Sequence, residues 1–587
     1  MSTRAQASLQ SRAVKRPESR MSWQQRDDRD ALVHLEQVAT VESGLYAVAV
    51  LLGVALRLLL LGQRPLSVEE GALASQSYRV MLDHMPNVLR DGPLPTYGVA
   101  LALLLFGGGD GAARLLSAVA GSALVVTPYL VRDNLGKVAA LLAAFGFALS
   151  PLLLFASRDV GSGIVPATLS VLLWWAVSRG MKPANTRWAF GIALILSALI
   201  ACGPAGLTAI IALGVAALLS HPSPASLAGE LRRLSAEAVW RRAALLFVAS
   251  TLAIGAAFGA NLPGVQSVLV DVWAGWLGSL SLLSPRGSLP VTIALYETPV
   301  LFAALGRLVA TIARRERTDM FLSLWMMILL LLGMLQSPGS LSRVVLPLVP
   351  MYLLGARALA GRLPLARGIH MSWRWGVASL GVMVPVLVAV VMLNRASILG
   401  QEIPAVFLSG EAALVTCGVL VIFVMLDGRG RSALGWGAAT VVGVLFLVHT
   451  TFFLNYRLDS APRELVAGQE ITPFLREAAT EAAYYSRYFD STITVDPQLR
   501  VPLEWYLRSA LNVGYSTANT QGISIQVSRS AQTPVTPTTA RRPGLYAPAF
   551  DAGEFSLQGV WAWLVAREGL VSPNQRDILL RAPAGDW

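Results

Sequence analysis

The chain has 587 residues, 54% of them hydrophobic and only 14% charged, with a mean hydropathy of +0.57. A soluble domain carries about 25% charged residues, so a soluble enzyme is excluded: the apolar segments recurring from Gly44 to Tyr456 are long enough to cross a hydrocarbon core of about 30 Å. The net charge of +12 does not point to nucleic acid, because the arginines sit in short loops between apolar segments, where the positive-inside rule puts them.

Residues 1–28 are polar and basic, with Arg4, Arg12, Lys15, Arg16 and Arg20, and lack the apolar core of a secretory signal. They read as a cytoplasmic tail. A short amphipathic helix near Asp30–Val41 follows, either lying on the inner membrane surface or packing against the bundle. The expected domains are this tail with its interfacial helix (1–43), a multi-span membrane domain (44–456) and a small exoplasmic α/β domain (457–587).

The first span, Leu45–Leu61, ends at Arg64-Pro65-Leu66-Ser67-Val68-Glu69-Glu70-Gly71. Two adjacent carboxylates at a membrane boundary are costly and mark a functional site, unless the stretch is simply a solvated loop. The apolar piece Leu94–Phe106 is short for a span and reads as re-entrant or interfacial. Spans are then expected at Ala113–Val131, Val138–Ala156, Ile164–Val177, Trp188–Ala201 and Leu207–Leu219, with a turn at Cys202-Gly203-Pro204 between the last two. Further spans are expected at 243–260, 299–313, 320–336, 343–359, 374–393, 404–426 and 433–455.

This gives about thirteen spans, N-terminus inside and C-terminus outside, with the arginine-rich loops on the inner side. Glu69-Glu70, Arg158-Asp159, the loop 261–298 and Arg343 then all emerge on the outer face. Counting Leu94–Phe106 as a full span would move every later arginine loop outside.

Beyond Asn455 the composition changes to that of a small α/β domain, with a helix over Glu470–Phe489 and strands at 491–495 and 523–527. A helical stretch over Glu504–Ala510 and a Ser/Thr/Pro-rich loop over Ser528–Arg542 complete it. The two cysteines, Cys202 and Cys417, lie in separate apolar stretches, and the five histidines have no metal-ligand spacing. No metal site is read from the sequence.

Several stretches resemble the GT-C membrane glycosyltransferases, which include protein O-mannosyltransferases and the aminoarabinose transferases of lipid A. Within that class the pattern is similar to the archaeal and bacterial glycosyltransferase-like family labelled flippase-activity-associated. The matching segments are Arg57–Leu66 followed by the acidic pair, Asp91-Gly92-Pro93-Leu94-Pro95-Thr96-Tyr97 and Phe106-Gly107 with Ala113–Ala118. Others are Leu149-Ser150-Pro151 before Ser157-Arg158, then Tyr296-Glu297, Leu346–Pro350 and Pro502–Arg508.

The resemblance implies an α-helical, polytopic GT-C-like fold and a sugar donor linked to polyprenyl phosphate. The acceptor would be a glycan, a lipid or a protein at the exoplasmic face of the cell membrane, with no nucleic acid partner. No other cofactor is firmly implied, and a divalent metal is left open. Glu69 falls at the position of the general base and Glu70 at that of its supporting carboxylate. Arg57, Arg158 and Arg343 are the arginines suited to the lipid phosphate. Asp91, Tyr97, Asp159 and Glu297 are the remaining candidate substrate-contacting positions.

Alternatives stand beside these roles. Arg57 can snorkel to the interface, Arg158 can cap a span, Arg343 can pair with backbone carbonyls, and Tyr296-Glu297 can be packing residues. Trp273 and Trp276 read as interfacial anchors or as sugar-stacking rings.

The chain also departs from the family pattern. Glu-Glu replaces Asp-Glu, Asp91 replaces a histidine, and Gly161-Ser162-Gly163 stands where the family has Arg-Asn-Asp. Leu335–Gly339 replaces a Glu-Lys-x-Pro-Trp pattern. These losses admit a second function, a non-catalytic lipid-linked-sugar binding or flippase-accessory protein. An ion-coupled transporter would need an inverted repeat or mid-membrane charges, and the sequence has neither.

Overall fold

A computed structural model describes residues 41–82, 89, 91–161, 163–180, 187–221, 238–280, 288–314, 316–336, 341–361, 431–456, 469–517, 523–527, 539–547 and 574–581. The expected helix near Asp30–Val41 and the spans at 374–393 and 404–426 lie outside these residues.

Helices dominate the first part of the chain, most of them apolar. They are α1 (Val41–Leu58), the more polar α2 (Val68–Met81), α3 (Pro93–Phe106), α4 (Asp110–Leu130), α5 (Lys137–Leu149), α6 (Pro151–Ser157) and α7 (Ile164–Gly180). After them come α8 (Trp188–Ala201), α9 (Gly203–Leu219), α10 (Ala238–Gly255), α11 (Ser288–Tyr296), α12 (Thr298–Arg314), α13 (Arg317–Leu335), α14 (Ser342–Ala360) and α15 (Arg431–Tyr456).

Among the described residues, four helices are long and apolar enough to cross a membrane, or six if each of two bent pairs is one span. Five others are shorter apolar helices, α3 among them as expected, so among the described residues the count of thirteen is not reached by length and composition. Helices α8 and α9 turn at Cys202, where the sequence places the turn.

The bent pairs have local causes. Helices α5 and α6 meet at 60°, at Ser150-Pro151. Pro151 has no N–H to continue the helix, and the Ser150 hydroxyl caps the new start by accepting from Leu153 N at 3.1 Å. The 108° bend between α11 and α12 falls at Glu297. One carboxylate joins the two breaks: Glu297 accepts from Ser150 Oγ at 2.6 Å, Leu152 N at 3.1 Å and the Tyr352 hydroxyl. Thr451 and Asn455 on α15 donate to the carbonyls of Leu149 and Pro151. The backbone groups freed by the break are satisfied from neighbouring helices, as a membrane interior requires.

The C-terminal part is a six-stranded mixed sheet, ordered β1 (Glu470–Ile471), β5 (Thr539–Ala547), β6 (Asn574–Arg581), β4 (Ile523–Val527), β2 (Ile493–Val495) and β3 (Val513–Tyr515). β2 pairs in parallel with β3 and with β4, setting Ile493 beside Ile523 and Val495 beside Ile525. The remaining pairs are antiparallel.

Helix α16 (Pro473–Phe489) packs against the sheet through a stripe of small residues, Ala478, Ala479, Ala482 and Ala483. It starts at Pro473 because Thr472 caps it by accepting from Leu475 N. The expected strands appear. The expected loop over Ser528–Arg542 is corrected at its end, because residues 539–542 open strand β5 and pair with β6.

The core of this domain does not stop at its own edge. Leu475, Ile493, Leu503, Trp505 and Leu507 form one buried cluster with Leu66, Leu73, Val99, Leu103, Ala113 and Val160 from the membrane helices and their loops. The sheet domain and the stretch carrying the acidic pair therefore share a core.

Candidate active site

The acidic pair opens α2. Ser67 is the N-cap: its hydroxyl accepts from Glu70 N at 3.2 Å, and its own N–H donates to Glu70 Oε2 at 2.8 Å, closing a capping box. Consecutive helical residues point about 100° apart. Once the box turns Glu70 inward, Glu69 must face another way.

Glu70 is 1% exposed and its carboxylate is fully engaged. Arg114 Nε donates to Oε1 at 2.7 Å and Arg114 Nη2 to Oε2 at 2.8 Å, a two-pronged pair. Arg64 reaches Oε2 at 3.2 Å, and Val160 N donates to Oε1 at 3.2 Å. The remaining N–H groups of Arg114 go to the carbonyls of Leu61, Arg64 and Pro65. All five donors of a fully buried guanidinium are thus spent on one carboxylate and the loop before it. Burial alone would raise the pKa of Glu70, but Arg114 and Arg64 hold it well below the ordinary carboxylate range.

Glu69 is the opposite case. It is exposed, and among the described residues no hydrogen bond or ion pair engages it. Desolvation of its carboxylate, then the nearby Glu70 and Asp91 carboxylates, raise its pKa to about 7. A carboxylate poised near neutral pH and not held by a cation is suited to take a proton. Asp159, beside Arg64 at 3.6 Å, is pushed above its usual range by burial and by Glu70.

The structure brings several expected residues to this place and spends others elsewhere. Asp91 is exposed and acts on Glu69 electrostatically. The backbone at Gly92 has φ +87, and a Cβ there would lie 2.5 Å from Ala201 O, so this turn needs glycine to nest against the Cys202-Gly203 turn. The Tyr97 hydroxyl donates to Gly255 O at 3.1 Å and accepts from Asn261 at 3.0 Å, which ties α3 to the segment after α10.

Arg57 is completely buried, and its guanidinium donates to Ser157 Oγ, Gly53 O and Phe147 O. Arg158 donates to the carbonyls of Leu56, Arg57, Leu59 and Leu60 at the end of α1, and stacks on Tyr456 at 4.6 Å. It caps a span, though not its own. Glu297 lies at the two helix breaks and not beside Glu69. Arg343 is half-buried in the first turn of α14. Trp276 donates to Thr208 Oγ1 at 3.0 Å, while Trp273 is half exposed.

The loop after Asp159 runs from this cluster to α14. Val160 N holds Glu70, and two residues with positive φ follow, Gly161 (φ +76) and Gly163 (φ +85). A Cβ at Gly161 would lie 2.3 Å from Leu73, and one at Gly163 2.5 Å from Ser342. At Gly163 a side chain would press on the Ser342 backbone, while at Gly161 it would meet the movable end of Leu73, so the loop closes tightly against the start of α14.

Sequence reasoning did not assign Arg114, Asp110 or Tyr506 to the site. Ser67-x-x-Glu70 was the available signal, since a capping box commits its glutamate to the backbone and leaves the neighbouring carboxylate outside. Among the described residues no group of three His, Cys, Asp or Glu side chains is placed to hold a metal ion.

This architecture is a GT-C-like fold, seen also in solved structures. The chain matches the crystal structure of ArnT from Cupriavidus metallidurans bound to undecaprenyl phosphate with a TM-score of 0.53 and 16% identity, over 92% of this chain and 98% of that one. The apo form of the same protein matches with a TM-score of 0.52 and 15% identity over the same shares, 92% and 98%. The oligosaccharyltransferase of Archaeoglobus fulgidus lies further off, at a TM-score of 0.46 and 13% identity over 81% of this chain and 64% of that one. No protein-family model matches the chain, and no curated protein matches it by sequence. The likeness is one of fold.

Proposed function

We propose that this protein is a membrane glycosyltransferase that moves a sugar from a polyprenyl-phosphate donor to an acceptor hydroxyl at the exoplasmic face. Glu69 is the general base and Glu70 its supporting carboxylate. The observation that carries this reading is the split between two adjacent glutamates: one locked by Arg114, the other exposed, uncommitted and with a pKa near 7.

In the proposed step the acceptor hydroxyl gives its proton to the Glu69 carboxylate as its oxygen bonds to the anomeric carbon. The bond from that carbon to the phosphate oxygen breaks, and polyprenyl phosphate leaves with the electron pair. Of the three expected phosphate arginines, Arg57 and Arg158 donate to the protein's own carbonyls and to Ser157. Arg343, joined to the acidic cluster by the loop through Val160 and Gly163, is the proposed phosphate contact. That ArnT is seen bound to undecaprenyl phosphate supports the donor class.

The test is transfer from a polyprenyl-phosphate sugar in membranes. Glu69→Gln is expected to lower the rate by about 10²-fold or more, while donor binding persists. In the wild type the rate should climb as pH rises through about 7, where Glu69 loses its proton. Unaltered transfer by Glu69→Gln would rule out the base.

A second reading is a lipid-linked-sugar binding protein without turnover. It is favoured by the closure at Gly163 against the Ser342 backbone, which leaves no room there for a second acidic side chain. Donor binding with no transfer to any glycan, lipid or peptide acceptor would select it.

A further inference from the structure

Tyr506 lies far from the acidic pair in sequence but reaches its loop. Its hydroxyl accepts from Leu66 N at 2.7 Å and donates to Asp110 Oδ2 at 3.2 Å. Trp505 Nε1 donates to the other oxygen, Asp110 Oδ1, at 2.8 Å. Leu66 and Trp505 are wholly buried and Tyr506 is 6% exposed, so the Leu66–Tyr506 bond is shielded from water, while Asp110 is only partly buried.

The bonds close a ring. Leu66 is bonded to Tyr506 and Tyr506 to Asp110, the first residue of α4. One helical turn further on, Arg114 grips Glu70, whose carboxylate accepts from Ser67 N, next to Leu66. Every link from Leu66 round to Ser67 is a hydrogen bond or a single turn of helix. The sheet domain thus adds a second tether, at Leu66, to a loop that Arg114 already holds through the Leu61, Arg64 and Pro65 carbonyls.

Neighbouring contacts brace the same join. Gln469 O accepts from Val68 N at 3.0 Å, and Arg476 donates to Gln63 O at 3.0 Å. Arg79 pairs with Glu504, and Arg508 lies 3.7 Å over the Trp505 ring while donating to Gly108 O.

We infer that Tyr506, acting with Asp110, is a positioning residue: it fixes the loop and first turn of α2 and so sets where the Glu69 carboxylate stands. The inference rests on the proposed base role of Glu69 for its consequence in catalysis, but the positioning is measurable without it. A base must sit within hydrogen-bond reach of the proton it takes, and a misplacement of about 1 Å costs about a hundredfold. A tether on the preceding loop therefore belongs to the rate and not to donor affinity.

The test uses the full chain in nanodiscs. Amide hydrogen exchange is followed over 66–72, with α7 as a distant reference, and sugar transfer is measured in parallel. Tyr506→Phe removes the hydroxyl and leaves Leu66 N–H without an acceptor. Exchange over 66–72 is expected to speed up by about tenfold, with α7 unchanged, and kcat to fall by about tenfold with KM for the lipid donor within about twofold.

Asp110→Ala should reproduce both effects. Asp110→Asn should restore both in part relative to Asp110→Ala, because its amide carbonyl still accepts from Trp505 and its NH2 can donate to the Tyr506 oxygen, while the Tyr506 O–H loses its acceptor. Unchanged exchange in Tyr506→Phe overturns the inference whatever the activity does. Faster exchange with unchanged kcat, in a protein that Glu69→Gln inactivates, also overturns it. If the wild type and Glu69→Gln transfer equally, the base role fails, and the exchange data with the Asp110→Asn rescue still decide the tether.

Discussion

One arginine–carboxylate cluster lies at the first end of helix α4 and another against the short turn that follows its other end, and the two are built differently. The 21 residues of α4 span about 31 Å. At the first end, Arg114 is fully buried, meets one carboxylate, and has every donor matched. Beyond the other end, Arg357 donates to the carbonyls of Asn134 and Leu135, to Glu316 at 2.8 Å and to Asp319. Arg307 pairs with the same two acids. There Glu316 is 47% exposed, and Arg307 Nε has no hydrogen-bond partner among the described residues.

The second cluster balances two cations against two anions and faces water in part. The first satisfies its central ion pair completely and still leaves a carboxylate over, Glu69. Ion pairing as such does not mark function in this protein. What distinguishes the first end is the carboxylate that the pairing does not consume.

The largest expected effect tests whether the two ends differ as described. Arg114→Ala would strand the Glu70 carboxylate and three carbonyls in a dry site and cost about 3–5 kcal/mol. Arg357→Ala should cost well below that, because Asp319 keeps Arg307 and Glu316 can turn to water. Thermal unfolding of the two variants in one detergent measures both, and equal losses would erase the contrast.

Next is Gly163→Ala. The positive φ costs about 1–2 kcal/mol, and the added methyl meets Ser342 Cα at 2.7 Å as well as its Cβ. A drop in melting temperature clearly larger than that of Gly136→Ala is expected. Gly136 also has positive φ, but nothing lies within 4 Å of its added Cβ. Similar drops would mean that the Gly163 loop is not closed against α14.

Ser67→Ala removes the cap of α2 and should cost about 1 kcal/mol, leaving the Arg114 pair in place. A loss as large as that of Arg114→Ala would make the cap, and not the ion pair, the organiser of this end.

The smallest effect has an informative sign. Glu69 has a folded pKa near 7 against about 4.5 for an unperturbed glutamate, so folding favours its protonated form. That contribution is complete below pH 4.5 and is lost as pH rises through about 7. Glu69→Gln should therefore raise the melting temperature at pH 8 and leave it unchanged near pH 4. An equal shift at both pH values would sever the link between Glu69 and its surroundings.

Much of the fold was legible because it follows from local patterns. The turn at Cys202-Gly203-Pro204, the short apolar helix before Gly107 and the strands at 493–495 and 523–527 are set by apolar runs and by Gly and Pro at their ends. The first four residues of strand β5, 539–542, fall in the stretch Ser528–Arg542, where Ser, Thr and Pro predict a loop. Pairing with β6, more than 30 residues on, overrides that composition. The site was half legible: the acidic pair and its capping box are written in adjacent residues.

The sequence by itself determined that this is a helical membrane protein with a small sheet domain and a charged stretch at a membrane edge. Apolar length, charge placement and period-2 runs are properties of neighbouring residues. Only the tertiary structure decided which glutamate is structural and which is left uncommitted, and it set Arg57 and Arg158 to close helix ends. Those outcomes depend on burial and on partners distant in the chain: Arg114 is 44 residues from Glu70, and Asp110 is 396 residues from Tyr506. A carboxylate's pKa and its freedom to react are fixed by what the fold packs around it.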